Sequence, residues 1–361
     1  MKYPLGRRLI ESEQPDYTIE TFADFQELKT RIDSSTEGTS TRFPGASNGS
    51  GFAGKRFRMT NDIDFNNYQW IGIGWNGSAG TPKSFKGNFD GGGFSILNLN
   101  FSNTMSIGNN IGLFLSIENA QIHDLSIKGN ITLNVNGLVS TLVYSINGNC
   151  SIERIVNYVN VSTQNDASVI GICQAGSNVT ISDIINVGDL TSKNFNSAGI
   201  IRYVWGFASI SRVCNFGTLM NMQQNAGAIS VGILCKDNGT TYIENCYNAG
   251  LIQGWNMSAG ILNTNTINTS SVKKCYNIGM LARKQPATKL SAMSVEIPSI
   301  YEDNYYDSLL VVDSGVYNGV AKTTQELQSG TLFNDGVWIE RAGKYPILPF
   351  MQDLQNLLLY Q

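Results

Sequence analysis

Ile181-Ser-Asp-Ile-Ile-Asn186 is one copy of a six-residue pattern that recurs along the chain: an apolar residue, two polar residues, two mostly apolar residues and asparagine. The copies begin at residues 152, 181, 210, 243 and 272, so they lie 29, 29, 33 and 29 residues apart. Four of the five copies have glycine two residues after the asparagine, at Gly188, Gly217, Gly250 and Gly279. A fixed period of about 30 residues is typical of repeat architectures, in which each unit stacks on the next.

A second motif lies between these copies and combines glycine with a short apolar run. It is found as Ile111-Gly-Leu-Phe114, Val169-Ile-Gly-Ile172, Ala198-Gly-Ile-Ile201, Ala226-Gly-Ala-Ile229 and Ala259-Gly-Ile-Leu262. Two looser copies of the first pattern lie upstream, as Ile96-Leu-Asn-Leu-Asn-Phe101 and Ile122-His-Asp-Leu-Ser-Ile127. The apolar runs are separated by Gly, Asn and Ser and show no helical period, so each unit is predicted to consist of short strands.

Stacking gives such units a common core, because each strand can pair with its copy in the next coil about 4.8 Å away. The sequence therefore predicts an all-β fold, a parallel β-solenoid (β-helix). Two apolar columns are predicted to fill its interior. The first is Ile96, Ile122, Ile152, Ile181, Ile210, Ile243 and Val272, and the second is Leu99, Leu125, Ile155, Ile184, Val213, Cys246 and Cys275. The asparagines that end the pattern are predicted to form a hydrogen-bonded ladder along the axis.

The repeats resemble those of the bacterial GLUG-motif proteins, in which Gly-Leu/Ile-Val-Gly strands alternate with Ile-x-Asn-Cys-Tyr-Asn-x-Gly strands. The resemblance extends from about residue 18 to 350. It includes an opening helix at Phe22–Ile32, the segments Asp62–Phe65, Trp70–Gly74 and Phe85–Gly93, and a closing set of Thr324–Leu327, Trp338 and Tyr345–Leu348. Phe94 and Leu142 depart from the family pattern, which usually has His and Gly at these positions. The resemblance implies a β-solenoid from a surface protein, as also found in non-catalytic parts of immunoglobulin-A-cleaving metalloproteases.

Five regions are predicted from these patterns. Residues 1–17 form an N-terminal arm, 18–84 an N-terminal cap with a helix and the first strands, 85–282 the solenoid, 283–350 an irregular C-terminal cap, and 351–361 an apolar tail. Phe22, Phe25, Leu28 and Ile32 share one helical face, so the helix is predicted to cover the open end of the stack. The tail is expected to pack on the C-terminal cap or to contact another subunit.

The composition excludes several classes of function. One histidine, His123, rules out a two-histidine zinc site and a His-Glu-x-x-His protease. The net charge of −3 gives no electrostatic footprint for nucleic acid. Six cysteines are predicted to be buried thiols, although Cys246 and Cys275 fall in one column at a spacing that permits a disulfide. No cofactor or metal is predicted, and His123 is expected at the surface.

The charged residues are interpreted as structural. The third position of the pattern is Asp124, Arg154, Asp183, Arg212, Asn245 and Lys274, so opposite charges are predicted to stack in successive coils. A glycan-cleaving solenoid would need two carboxylates roughly 5–10 Å apart, and Asp183 and Glu244 are the candidate pair, with Arg212 between them. Asp62, Asp64 and Asp90 could bind calcium through oxygen atoms, but short polar residues at tight turns explain them equally well.

Aromatic side chains outside the interior columns are the best candidates for ligand binding. These are Tyr203, Trp205, Tyr247 and Trp255. Flat aromatic faces along a polar ridge can stack on sugars, while neighbouring amides supply hydrogen bonds. The competing interpretation is that they pack on a loop or on another subunit.

The sequence thus predicts a non-enzymatic β-solenoid adhesin or stalk module of a bacterial surface protein, binding a host or cell-surface glycan or protein. The expected location is the cell surface or the extracellular space, although no signal peptide is predicted from the given sequence. A phage or injection-system fibre protein is the first alternative, and a polysaccharide-cleaving β-helix enzyme is the second. Assembly into a homo-oligomer through the tails remains open, and neither nucleic-acid binding nor membrane insertion is predicted.

Overall fold

The computed structural model describes residues 14–35, 40–44, 49–75, 82–102, 110–134, 137–163, 167–171, 173–176, 178–193, 196–222, 229–264, 270–283, 289–295, 298–309 and 318–360. These residues form the parallel β-solenoid that the repeats predict. The helices within these ranges are Phe22–Ser34, Thr324–Leu327 and Gln352–Leu359. None of them is long and apolar enough to cross a membrane.

Three parallel sheets form the walls of the solenoid. The long sheet consists of Tyr17–Ile19, Arg56–Met59, Ile63–Asp64, Asn88–Asp90, Ser95–Leu97, Gln121–Leu133, Cys150–Thr163, Val179–Asn186, Leu190–Ser192, Phe207–Asn215, Leu219–Asn221, Thr240–Glu244, Tyr247–Asn248, Ile252–Gly254, Ser271–Lys273, Tyr276–Asn277, Leu281–Arg283, Ile300–Glu302, Tyr305–Asp307 and Val320–Lys322. The second sheet consists of Asn110–Ile111, Gly137–Ser140, Ala167–Ile170, Ser197–Ala198, Ile229–Val231, Met257–Ala259 and Lys289–Ser291. The third consists of Phe114–Glu118, Val143–Asn147, Cys173–Gly176, Ile201–Val204, Leu234–Asp237 and Leu262–Thr264.

Two small sheets complete the strands. Gln69–Trp70 pairs in parallel with Asn100–Phe101, and Ile339–Arg341 forms an antiparallel hairpin with Lys344–Ile347. Each full coil runs from the second sheet through the third to the long sheet. Glycine occurs where the second sheet passes into the third, and a Cβ on Gly199 would lie 2.1 Å from the Gly232 oxygen of the next coil. The backbones of these two coils therefore approach each other too closely for a side chain at Gly199.

The predicted interior columns are confirmed over most of the stack. Ile122, Ile152, Ile181, Ile210, Ile243 and Val272 are paired in register from coil to coil and are buried. The predicted asparagine ladder is present as well. The Nδ2 atoms of Asn157, Asn186, Asn215 and Asn248 each donate to the Oδ1 of the next asparagine at 2.7–2.8 Å, and the ladder ends at Asn277. All five side chains are fully buried, so their amides depend on one another for hydrogen bonds.

Two predicted registers are wrong. Phe89 rather than Ile96 pairs with Ile122, whereas Ile96 pairs with Ile127. In the coil with the longest interval, Val231 pairs with Ala198, so the copy of the glycine motif is Val231-Gly-Ile-Leu234 rather than Ala226–Ile229. Both errors have one physical cause: extra residues at a bend shift the sequence pattern, while pairing keeps the apolar side chains inside.

The charged column occupies a bend in the long sheet. Asp124, Arg154, Asp183, Arg212, Asn245 and Lys274 all have positive φ values between 51° and 57°. The predicted pairing of opposite charges is present in two steps. Arg154 donates to both carboxylate oxygens of Asp124 at 2.7 and 2.9 Å, and Arg212 donates to both oxygens of Asp183 at 2.7 Å. These bidentate ion pairs hold a left-handed backbone bend that non-glycine residues rarely adopt.

The N-terminal helix lies over the first coils, as its apolar face predicts. Phe25, Leu28 and Ile32 are buried, and the Phe25 ring lies 5.3 Å from Phe65 and 5.5 Å from Phe89. Phe65 and Phe89 both belong to the interior core of the solenoid. The helix therefore closes the apolar interior at this end, where the core would otherwise meet water.

The C-terminal segment, residues 318–360, contacts the side of the solenoid and not only its end. The outward face of the long sheet carries a flank column of Val156, Ile185, Cys214, Tyr247 and Tyr276, paired in register. Trp338, Leu348 and Leu354 pack against this column. The predicted tail is helical over Gln352–Leu359, and it packs on the cap and on the flank column. Apolar residues on an outward face require such a cover.

The described cysteine side chains are buried thiols. Cys150, Cys214, Cys235, Cys246 and Cys275 are buried and form no disulfide, which confirms the predicted core role for these five. The side chain of Cys173 lies outside the described residues. Burial raises the pKa of Cys214 and of Cys275, because a thiolate would lose its hydration in the interior.

Candidate functional site

A cluster of aromatic side chains lies where the third sheet turns into the long sheet. Tyr203 belongs to the strand Ile201–Val204, Trp205 lies in the following bend, and Phe207 begins the next strand. Tyr242 lies in the following coil, in Thr240–Glu244. We call these four residues the aromatic corner. Trp205, Phe207 and Tyr242 are 57%, 43% and 45% exposed, so three large rings face solvent at one edge of the solenoid.

The rings form two pairs, one on each side of the bend. The Tyr203 and Trp205 centroids are 4.6 Å apart with an interplanar angle of 32°, and those of Phe207 and Tyr242 are 5.6 Å apart at 49°. The Asn238 Nδ2 donates to the Tyr203 hydroxyl at 3.1 Å. The guanidinium carbon of Arg202 lies 5.5 Å from the centre of the Tyr203 ring. An amide and a cation therefore hold the first pair in place beside its exposed face.

The backbone beneath the aromatic corner is tightly packed. In the next coil the equivalent bend is Asn238-Gly239, and a Cβ on Gly239 would lie 2.0 Å from the Gly206 oxygen. Gly206 also accepts a hydrogen bond from the backbone N–H of Thr240 at 2.9 Å. The rings are thus carried on a bend that is fixed by its neighbour, which lowers the entropy lost when a ligand stacks on them.

The four predicted binding residues do not form one surface. Tyr203 and Trp205 lie together, but Trp255 is half-buried at a different bend, where the long sheet passes into the second sheet. The prediction for Tyr247 is wrong. Its side chain is fully buried in the flank column, and its hydroxyl donates a hydrogen bond to Gln355 Oε1. Its ring stacks on that of Tyr276, with the two centroids 4.9 Å apart and an interplanar angle of 2°. Because the C-terminal segment covers Tyr247, a ligand cannot reach its ring.

Phe207 and Tyr242 are not among the binding residues predicted from the sequence. A signal for Tyr242 was present, since it immediately precedes the inward-facing Ile243 and must therefore point outward in an extended strand. Phe207 lies in register with Thr240, at the position where the neighbouring coil has a small polar residue. Reading the outward positions across neighbouring coils would have shown both residues.

The carboxylates proposed as a cleavage pair are engaged in ion pairs. Asp183 accepts two hydrogen bonds from Arg212, and Glu244 lies 4.0 Å from the Lys274 ammonium. The candidate calcium ligands likewise accept backbone hydrogen bonds: Asp62 accepts from Ser95 in the neighbouring coil, and Asp64 accepts from Asn66 within its own turn. These contacts assign the carboxylates a structural role in the described part of the chain.

Asp90, His123 and Asp124 have ligand atoms within 4.8 Å of one another. His123 is half-buried rather than at the surface, with Nδ1 2.8 Å from Asp124. Arginines adjoin both carboxylates, because Arg58 lies 3.3 Å from Asp90 and Arg154 chelates Asp124. Burial alone would raise the pKa of Asp124, but hydrogen bonds from His123 and Arg154 outweigh it and lower the pKa to about 2. The positive charges already neutralise this cluster, so it favours a structural network over a cation site.

The fold and the aromatic corner define a β-solenoid with an exposed aromatic edge. No family model matches the chain, and no curated protein sequence matches it either. Among solved structures, the fold is similar to a crystal structure described as a putative immunoglobulin A1 protease from Bacteroides ovatus. The similarity has a TM-score of 0.54 at 15% identity, and it covers 94% of this chain and 93% of the other. At this identity the comparison shows a shared fold over nearly the whole of both chains.

Proposed function

We propose that this chain is a non-enzymatic β-solenoid adhesin or stalk module of a bacterial surface protein, and that it binds glycans through the aromatic corner. The observation that carries the proposal is the exposure of Trp205, Phe207 and Tyr242 on one rigid edge. A contiguous group of exposed rings, unlike a single exposed apolar residue, is typical of a ligand-binding or interaction site. Pyranose rings present flat C–H faces, and their hydroxyls suit the amide and hydroxyl groups beside Tyr203.

The solenoid architecture supports a role in display. Parallel coils add about 4.8 Å per step, so the stack holds the aromatic corner at a fixed distance from either end. The asparagine ladder and the bidentate ion pairs tie each coil to the next. A rigid spacer with a lateral binding edge fits a protein that is presented at a cell surface.

The polar groups of the described residues favour binding over catalysis. Asp183 and Glu244 are paired with cations, and His123 is held by Asp124 and Asn88. Cysteine proteases need a thiolate beside a histidine, whereas five thiols here are buried. The described thiols are therefore not arranged for a cysteine–histidine mechanism.

A glycan array with the purified chain tests the proposal, followed by affinity measurements on any glycan that binds. The variant Trp205→Ala should weaken binding at least tenfold, which corresponds to about 1.4 kcal/mol of lost stacking. Tyr68→Ala is the matched control, since Tyr68 is an exposed aromatic residue (49%) that packs on the N-terminal helix residue Phe22. Equal binding by Trp205→Ala and the wild type, or binding to no glycan, would contradict the proposal.

A further inference from the structure

A groove of about 480 Å³ opens on the outward face of the long sheet, away from the aromatic corner. Its walls come from three neighbouring coils and carry Asn98, Lys128, Asn130, Tyr158 and Asn160. Lys128 pairs with Tyr158 and Asn130 pairs with Asn160 in register, so each pair stands side by side on adjacent strands. We call this depression the Lys128 groove.

Gly129 lies between Lys128 and Asn130 and lets two coils approach each other closely at the groove. A Cβ at this position would lie 2.2 Å from the Leu99 oxygen. This distance is too short for a non-bonded contact, so any side chain at position 129 would push the two coils apart. Between Lys128 and Asn130 the groove is lined by the main-chain atoms of Gly129 alone. A lining of this kind lets a flat ligand approach the strand closely.

Lys128 is a cation without a counter-ion among the described residues. The groove lining contains no carboxylate, and the Lys128 ammonium lies 5.3 Å from the centre of the Tyr158 ring. By contrast, the cations at the bend of the same sheet are neutralised, since Arg154 and Arg212 chelate aspartates. A lysine held over an aromatic ring in a groove of amides is suited to bind an anion.

The asparagines supply hydrogen-bonding groups beside this charge. Asn160 Nδ2 donates to Asn130 Oδ1 at 2.8 Å, and Asn160 Oδ1 accepts from the Asp189 backbone at 2.9 Å. Asn98 Nδ2 is held by Asp64 at 2.8 Å. These bonds fix the orientation of the amides and leave the Asn130 Nδ2 as a donor for a ligand hydroxyl.

The C-terminal segment does not line the groove. It packs on the flank column, which begins at Val156, whereas the neighbouring coil has Ser126 at the equivalent position and Lys128 two residues later. The outward face thus changes from apolar and covered to polar and open between these coils. Tyr158 lies at the boundary, because it also packs against the covered apolar cluster.

We propose that the Lys128 groove is a second binding site and that it takes a carboxylate-bearing saccharide. Lys128 would bind the carboxylate, the Tyr158 ring would support the sugar face, and Asn130 would donate to a hydroxyl. The groove and the aromatic corner share no residue, so this inference stands independently of glycan binding at Trp205.

Calorimetric titration of the full chain with a short oligogalacturonate and with sialyllactose tests this inference. The fully methyl-esterified oligogalacturonate is the matched ligand, since it has the same sugar faces without charge. Lys128→Gln should weaken binding of a carboxylated ligand at least tenfold, and raising the salt concentration should weaken wild-type binding as well. Lys86→Gln is the matched variant: it removes one positive charge from a lysine that pairs with Glu118 at 3.0 Å, and binding should not change.

Three results would overturn the inference: no wild-type binding of either carboxylated ligand at millimolar concentration, equal binding by Lys128→Gln, or equal binding of the methyl ester. Tyr158→Leu provides a second variant, for which weaker binding is expected, and thermal unfolding of each variant checks that it is folded. If Trp205→Ala abolishes binding and Lys128→Gln does not, the saccharide lies at the aromatic corner. That result would refute the Lys128 groove while supporting the proposed function.

Discussion

Replacing Asn215 with alanine should destabilise the solenoid more than any comparable change at its surface. Asn215 lies in the middle of the ladder, is fully buried, and takes part in three hydrogen bonds. It accepts from Asn186 at 2.7 Å, donates to Asn248 at 2.7 Å, and donates to the Gly217 oxygen at 3.0 Å. Each bond contributes about 1 kcal/mol net, and a buried acceptor left without a donor costs a further 1–3 kcal/mol or so.

The expected loss for Asn215→Ala is therefore about 4–6 kcal/mol. Asn186 keeps one partner, because its Nδ2 also donates to the Gly188 oxygen at 3.1 Å, whereas Asn248 Oδ1 loses its side-chain donor. Asn160→Ala is the matched control. It removes an amide–amide bond of 2.8 Å and the bond from the Asp189 backbone at 2.9 Å. Both are exposed, so water can replace the lost partners and the cost should stay below about 1 kcal/mol.

Urea unfolding followed by tryptophan fluorescence and by circular dichroism measures both variants. Coincident transitions establish two-state behaviour, which stacked repeats do not always show, and an unchanged slope with urea attributes the shift to stability. Equal losses for Asn215→Ala and Asn160→Ala would refute the reasoning, since burial would then contribute nothing to the strength of the ladder. A loss below about 1 kcal/mol for Asn215→Ala would refute it as well.

Three further predictions concern the bend, the thiols and the coil spacing. Asp124→Asn should lower the free energy of unfolding by about 2 kcal/mol at pH 7 and by almost nothing at pH 2. The reason is that the pKa of Asp124 in the folded chain, about 2, lies below its unfolded value of about 3.9, so the stabilisation by the carboxylate is lost as the pH falls between these values. Equal losses at both pH values in urea titrations would contradict this. Cys246 and Cys275 should resist alkylation in the folded chain and react fully in urea, as mass spectrometry would show; rapid modification without denaturant would exclude their burial. Gly217→Ala should lower the free energy of unfolding in urea by more than about 3 kcal/mol, because the new Cβ would lie 2.1 Å from the Gly188 oxygen. A loss under about 1 kcal/mol would show instead that the coils can separate freely.

The stacked core could be predicted from the sequence because its signal is periodic. An isoleucine every 29 or 33 residues has one simple explanation, which is that each copy lies on the next in the same column. The asparagine ladder follows from the same register. The register errors at Ile96 and Ala226 arose where the coil length changes, since an insertion moves the sequence pattern but leaves the paired positions unchanged.

The candidate site was only partly predictable. Trp205 and Tyr203 lie outside the interior columns, and the structure places them together at an exposed bend. Tyr247 also lies outside those columns, yet it is buried because a segment about 100 residues later packs over it. Periodicity separates inward from outward positions, but it does not show which outward positions another part of the chain will cover.

The sequence by itself determined the coil, its interior columns, the buried thiols and the ladder, because these features depend on residues that repeat at a fixed spacing. Only the tertiary structure decided where the C-terminal segment packs and which bends become left-handed. It also decided which outward surfaces stay open, namely the aromatic corner and the Lys128 groove. The physical reason is that pairing between coils is local and repeated, whereas the cover of an outward face is a single long-range contact that has no period in the sequence.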